Sequence, residues 1–277
     1  LTDGPEFTDV ERLVARIPDG ATLAISKTEC GAAMAATRAL IRRRVRGLRL
    51  VTLPTGGLQA DLLIGAGCVA AIETSAVTLG EHGPAPCFTR AVTAGRLEVR
   101  DSTCPAVYAA LQAAEKGVPF LPIRGLIGSD LLRVRDDYKV VDNPFAAGDP
   151  IVVVPALRPD VALVHAPLAD RHGNVWIGRQ RPQLILAHAA RETLATVEEV
   201  RDGDLLADEA LGPATISALY VAGVAPAKDG AWPVGLADRY DEDALHIREY
   251  CRLAASEDGF REYLERYVLS ERRVAAE

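Results

Sequence analysis

Nowhere does the 277-residue chain carry an apolar run approaching the roughly 18 residues that a membrane helix needs. Its opening stretch, LTDGPEFTD, has no apolar core of the kind that makes a signal peptide. An excess of positive charge is missing as well. The formal charge of -7 argues against nucleic acid or acidic lipid as the main partner. Five cysteines, at 30, 68, 87, 104 and 251, lack the paired spacing of a zinc site. Their odd number and scatter imply free thiols in a reducing compartment, so the expected location is the cytoplasm. There is no GxSxG elbow, no HExxH and no Walker lysine. From the residues alone, no nucleophile–base–acid set asserts itself, and neither a metal site nor a tightly bound cofactor is expected.

What is present is alternation. Apolar segments such as Thr22 to Ser26, Leu48 to Leu53, Val69 to Ile72, Ile151 to Val154 and Val161 to His165 are separated by helical patterns or loops. Continuous apolar strands fit a sheet covered on both faces. The expected fold is therefore α/β, with an open, mostly parallel sheet, helices on both faces and a C-terminal helix. No linker or internal repeat divides the chain. One domain over residues 1–277 is expected, with 237–277 as a helical extension capped by Ser256. Thr8 with Glu11 suggests a capping box for the first helix. Residues 213–236, rich in proline and glycine, read as a loop excursion.

The stretch from Leu111 to Leu131 joins an alanine-rich helix to an apolar strand from Val118 to Ile123. It then delivers the loop Arg124-Gly125-Leu126-Ile127-Gly128-Ser129-Asp130, and open α/β sheets bind ligands at the carboxyl ends of strands. Arg124 has the planar donor geometry of a carboxylate clamp, and equally that of a structural ion pair. Pro54-Thr55-Gly56-Gly57 offers backbone N–H groups to an anion. Glu81-His82 offers an acid/base pair or a surface turn. Cys30, close to a helix start, reads better as a packed thiol than as a nucleophile. Arg42 to Arg46 closes a helix C-terminus rather than forming a nucleic-acid patch.

The chain resembles the A (alpha) subunits of the heteromeric family I CoA-transferases, nearest the glutaconate CoA-transferase type. The resemblance runs from Asp19-Gly20 through Gly80-Glu81-His82-Gly83-Pro84-Ala85-Pro86 and Gly117-Val118-Pro119-Phe120-Leu121-Pro122 into the 124–130 loop. It continues through Asp170-Arg171-His172-Gly173-Asn174 and Thr196-Val197-Glu198-Glu199 to Tyr240, Asp243, His246 and Tyr250. It implies a partner B subunit, commonly in an A2B2 assembly, and coenzyme A as substrate and product. It also implies a nucleophilic glutamate on that partner, forming a glutamyl-CoA intermediate. This chain would then supply substrate-facing loops, with Ser26, Glu81, His82, Arg124, Gly125, Gly128, Ser129 and Asp130 as binding candidates.

The sequence departs from the family after the first strand. Lys27-Thr28-Glu29-Cys30-Gly31 stands where such chains usually carry a glycine pair and a proline. Some relatives resemble hydrolases that open a ring on a CoA-linked steroid fragment, using a carboxylate of their own A subunits. For that alternative the local candidates are Glu29, Glu81 and Glu98. A non-catalytic binding scaffold is the third reading.

Overall fold

The computed structural model describes residues 4–27 and 31–270. The chain opens with β1 (Glu6–Phe7), α1 (Val10–Ala15), β2 (Thr22–Ser26) and α2 (Met34–Arg43). Three strand–helix units follow: β3 (Leu48–Leu53) with α3 (Leu58–Gly65), β4 (Val69–Thr74) with α4 (Pro86–Thr93), and β5 (Glu98–Asp101) with α5 (Cys104–Glu115). An inserted lobe carries β6 (Phe120–Ile123), α6 (Leu131–Val134), β7 (Lys139–Asp142) and β8 (Pro150–Pro155). The chain then returns through β9 (Val161–Asp170), β10 (Val175–Trp176), α7 (Arg181–Ala189), β11 (Glu192–Arg201), β12 (Thr215–Ile216) and β13 (Val221–Pro226). Helices α8 (Ala244–Leu253) and α9 (Glu257–Leu264) follow, with a π-helical turn at Glu265–Leu269.

The main sheet runs β1-β13-β11-β9-β2-β3-β4-β5, and each of these neighbours is parallel to the next. Strand order climbs one way from β2 and the other way from β9, so the reversal lies between those two strands. Their register pairs Leu23 with Val161 and Ile25 with Leu163. Parallel strands buried on both faces have no use for alternation, and β9 is buried at all ten positions. One face packs on α1 to α4 and the C-terminal helices, through Leu13, Leu40, Leu63, Ile72 and Tyr250. The other packs on α5 and α7 through Val51, Leu111, Ala162 and Leu186. The α/β expectation therefore holds. No helix among the described residues is long and apolar enough to cross a membrane.

Three local expectations are corrected. Residues 213–236 are not merely loop, because β13 lies inside the main sheet between β1 and β11. Pro226 ends that strand and Gly223 packs its backbone against Leu13, so neither residue breaks it. The cap of α1 is Asp9, whose side chain accepts from Arg12 N at 2.7 Å, while Thr8 N–H is engaged by Val224 O. A carboxylate is the stronger acceptor at a helix N-terminus. Finally, β6 belongs to a separate antiparallel sheet ordered β6-β8-β7, so the 124–130 loop does not follow a parallel strand. Pro122 is tolerated there because β6 is an edge strand.

The helical C-terminal segment is tied to the body by a buried carboxylate. Helix α3 is buried nearly all round, and its Asp61 has no exposed surface. Asp61 accepts from Phe88 N at 2.6 Å and Cys87 N at 3.3 Å, the first-turn amides of α4, which has no side-chain cap of its own. Tyr250 of α8 donates to the same carboxylate at 2.6 Å. Burial pushes the Asp61 carboxyl up, opposed by these donors. Asp61→Ala would strand three buried donors. A loss of about 2–4 kcal/mol is expected, read as a lowered Tm of the purified protein.

Candidate functional site

In parallel sheets a crevice opens at the carboxyl ends of the strands, where the connections leave in opposite directions. Here a cavity of about 390 Å³ lies at the carboxyl ends of β2, β3 and β4. Lys27 follows β2 directly, and Thr55 and Gly56 come from the turn after β3. Thr78 to His82 come from the connection between β4 and α4. Leu58, Leu79, Val234 and Ile247 give the cavity an apolar side. Its charged side has Lys27, Glu81, His82 and Glu242. His82 Nε2 lies 2.8 Å from Glu242 Oε1, joining the 80–82 turn to the segment that leads into α8. The mixture suits a polar group carried on an apolar stem.

Beside this cavity, at the β9–β2 boundary, stands a buried polar network. His165 of β9 is fully buried and pairs in register with Thr196 of β11. Its Nδ1 is 2.9 Å from Thr196 Oγ1, and its Nε2–H donates to Glu198 Oε1 at 2.9 Å. The same oxygen accepts from Tyr240 OH at 2.7 Å and Gly230 N at 3.0 Å, and Oε2 accepts from Asp229 N at 2.7 Å. Burial works against ionising Glu198, but hydrogen bonds from His165 and Tyr240, the charge of His165 and the Asp229 amide outweigh it. They hold the carboxyl down at about 2. Tyr240 responds in the opposite direction, its hydroxyl raised by burial and by the Glu198 carboxylate.

Two glycines let backbone close on His165. A Cβ on Gly230 would come within 2.4 Å of His165 Cε1, and one on Gly31, at φ +72°, within 2.3 Å of His165 O. His165 N donates to Gly31 O at 3.2 Å, and Gln183 Nε2 donates to both Gly31 O and His165 O. The turn after β2 is therefore moored on β9, next to the Glu198 network.

Of the residues singled out in the sequence, Glu81 and His82 line the cavity, and Ser26 is the buried last residue of β2, beside Lys27. Glu29 and Cys30 lie outside the described residues. Glu98 opens β5 and lines a separate cavity of about 440 Å³ with Glu73, Arg100, Arg135 and Asp137. Arg124, Gly125, Gly128, Ser129 and Asp130 line neither cavity. Arg124 is paired with both oxygens of Asp149, which also accepts from Asn143 Nδ2 at 2.5 Å. Ser129 Oγ donates to Leu126 O at 2.8 Å, and Asp130 meets Arg133 at 2.9 Å on the surface. Asp170, in the Asp-Arg-His-Gly-Asn turn, accepts from His172 N, Asn174 N, Asn174 Nδ2 and Leu205 N, so it organises the turn. Burial pushes the Cys87 thiol up to about 12 and Cys68 to about 11, far from thiolate character. Sequence reasoning missed Glu242 and the convergence on Glu198. A carboxylate following the apolar run of β11 was the available signal for the latter.

The family model described as "Coenzyme A transferase" matches residues 7–217. The chain belongs to the coenzyme A transferase family. Its fold resembles glutaconate coenzyme A-transferase from Acidaminococcus fermentans, with a TM-score of 0.89 at 26% identity, covering 95% of this chain and 89% of that one. A variant of the decarboxylase AibA/AibB gives a TM-score of 0.85 at 33% identity, covering 96% and 100% of the two chains. In sequence, the chain is 33% identical over 245 residues to the cholesterol ring-cleaving hydrolase IpdA subunit of Rhodococcus jostii, covering 85% of this chain and 82% of that protein. It spans about half the length of a 33% identical, uncharacterised Archaeoglobus fulgidus protein, matching 83% of its own residues to 51% of that protein. Within the family the chain is of the A-subunit type.

The folded-state value of Glu198 lies below its ordinary value of 4.5, so the unfolded chain binds the extra proton as pH falls. Its contribution is full above 4.5 and is lost as pH drops towards 2. In an acid-unfolding titration, Glu198→Gln should flatten stability across that window and leave the slope near neutrality unchanged.

Proposed function

We propose that this chain is the A subunit of a heteromeric CoA-transferase that moves CoA between an acyl-CoA and a carboxylic or dicarboxylic acid. A partner B subunit would complete the site, in an A2B2 assembly. The observation that carries the reading is the cavity at the carboxyl ends of β2, β3 and β4, with an apolar side and a charged side. One of its two carboxylates, Glu242, is already engaged by His82, and the other, Glu81, sits on an exposed turn. That arrangement suits a wall that receives the acyl group, with the nucleophile supplied from across the interface.

The reaction proceeds by carboxylate nucleophilic catalysis. The partner's glutamate attacks the thioester carbonyl, and CoA leaves as thiolate, giving a mixed anhydride. The thiolate attacks the glutamyl carbonyl of that anhydride. This expels the donor acid as its carboxylate and leaves a glutamyl-CoA thioester. The acceptor carboxylate attacks that thioester, CoA leaves again, and its attack on the acceptor's acyl carbonyl frees the glutamate. Each bond broken is matched by one formed, and neither metal nor redox partner enters. This chain's part is to hold the acyl group, with Glu81 and His82 on the cavity wall and the Leu58, Leu79, Val234 and Ile247 side around its stem.

A second reading, hydrolysis or decarboxylation of a CoA thioester substrate, is favoured by the relatives named as a decarboxylase and as part of a ring-cleaving hydrolase, both 33% identical. In that reading Glu81 is the carboxylate best placed to serve as a base, with Glu29 and Glu98 as further candidates. The test separates the two. The chain is co-purified with its partner and incubated with acetyl-, butyryl- and glutaryl-CoA, with and without an acceptor acid. CoA ester appearing on the acceptor, with little free thiol, is the expected result. Free thiol released equally without acceptor, and lost in Glu81→Gln, would replace the transferase reading with the hydrolase. Consumption of the thioester with CO₂ evolved would indicate the decarboxylase.

A further inference from the structure

The segment from 227 to 243 carries two cavity residues, Val234 and Glu242, yet it contains no regular helix or strand. It needs anchors, because a long irregular segment loses its ordering entropy only against specific contacts. Ala227 N donates to Val197 O at 2.7 Å, and Ala35 N and Arg38 Nη1 donate to Gly230 O and Trp232 O, each at 2.8 Å. The remaining anchors converge on one side chain. Glu198 takes Asp229 N, Gly230 N and Tyr240 OH, and Tyr240 OH in turn accepts from Ala231 N at 3.0 Å. Tyr240 stands two residues before Glu242, which reaches His82. A carboxylate with this many donors is held by charge-assisted bonds, roughly twice as strong as neutral ones. Behind it, His165 closes the network against the sheet.

We propose that Glu198 is a positioning residue: from the sheet it holds the 227–243 segment over the cavity and so sets the contact between Glu242 and His82. The inference rests on the reading of that cavity as the acyl-binding cleft. Glu198 itself touches no substrate. It acts through Tyr240 and the segment's backbone, and its loss would loosen one wall of the cleft while the contacts of Ala35 and Arg38 keep the segment folded.

The test uses the chain assembled with its natural partner and has two readouts. In Glu198→Gln, the amides of Asp229, Gly230 and Ala231 should exchange hydrogen about tenfold faster than in the wild type, with the rest of the sheet unchanged. For whichever of acetyl-, butyryl- or glutaryl-CoA the wild type turns over best, KM should rise about tenfold while kcat stays within about twofold. Tyr240→Phe is the milder variant and should expose the Ala231 amide and raise KM about threefold. The Glu198→Gln/Glu242→Gln pair should be no worse than the weaker single variant, because both act through one contact. Unchanged exchange at 229–231 would overturn the anchoring. Additive effects would overturn the route through Glu242. Lost protection with an unchanged KM would overturn the cleft reading beneath the proposal and leave Glu198 an anchor alone.

Discussion

The pairing of β2 with β9 is the constraint from which the rest of the molecule follows. These two strands join the first half of the sheet, built outward through β3, β4 and β5, to the second half, built outward through β11 and β13. Because the halves grow in opposite directions, their connections part at this boundary and leave space at the carboxyl edge. The boundary must also be filled on its inner side, where two parallel strands meet and backbone carbonyls face one another across a turn. His165, Gln183 and Gly31 do this with hydrogen bonds, and the close approach depends on Gly31 having no Cβ.

Two carboxylates perform related work at different depths. Asp61 sits in an apolar helix and takes the first-turn amides of α4 together with the Tyr250 hydroxyl, which locks α8 to the body. Glu198 sits at the edge of the sheet and takes amides and a hydroxyl from the segment that precedes α8. Burial raises the one, while the donors outweigh burial and lower the other. The difference follows from the number and charge of the donors each receives. Together they fix both ends of the C-terminal part that walls the cleft.

Much of the fold was legible because parallel strands announce themselves as unbroken apolar runs. Thr22 to Ser26, Leu48 to Leu53 and Val161 to His165 are of that kind, and all three are strands. β13 was hidden because Gly223, Pro226 and the surrounding prolines mimic turn chemistry, whereas the glycine is there to admit Leu13. The 124–130 loop drew notice for its mixture of glycines and charges, yet its arginine is satisfied by Asp149 on the connection between β7 and β8. Local composition does not reveal which sheet a strand joins. Glu81 and His82 were visible as a polar, glycine-punctuated loop. Glu242 was not, because its partner His82 is 160 residues away and no local pattern encodes such a contact. The resemblance to the A subunits of CoA-transferases came from many short segments in order. That is the form in which turns at strand ends show themselves in a single sequence.

The measurement that bears most directly on the account is a structure of the assembled enzyme bound to a non-cleavable thioether analogue of its best acyl-CoA. The account places the acyl group at the carboxyl ends of β2, β3 and β4, against the 78–82 connection and Glu242, with a carboxylate of the partner at the reacting carbon. Density for the acyl group against Arg124 to Asp130, or in the cavity of Glu98 and Arg135, would contradict it.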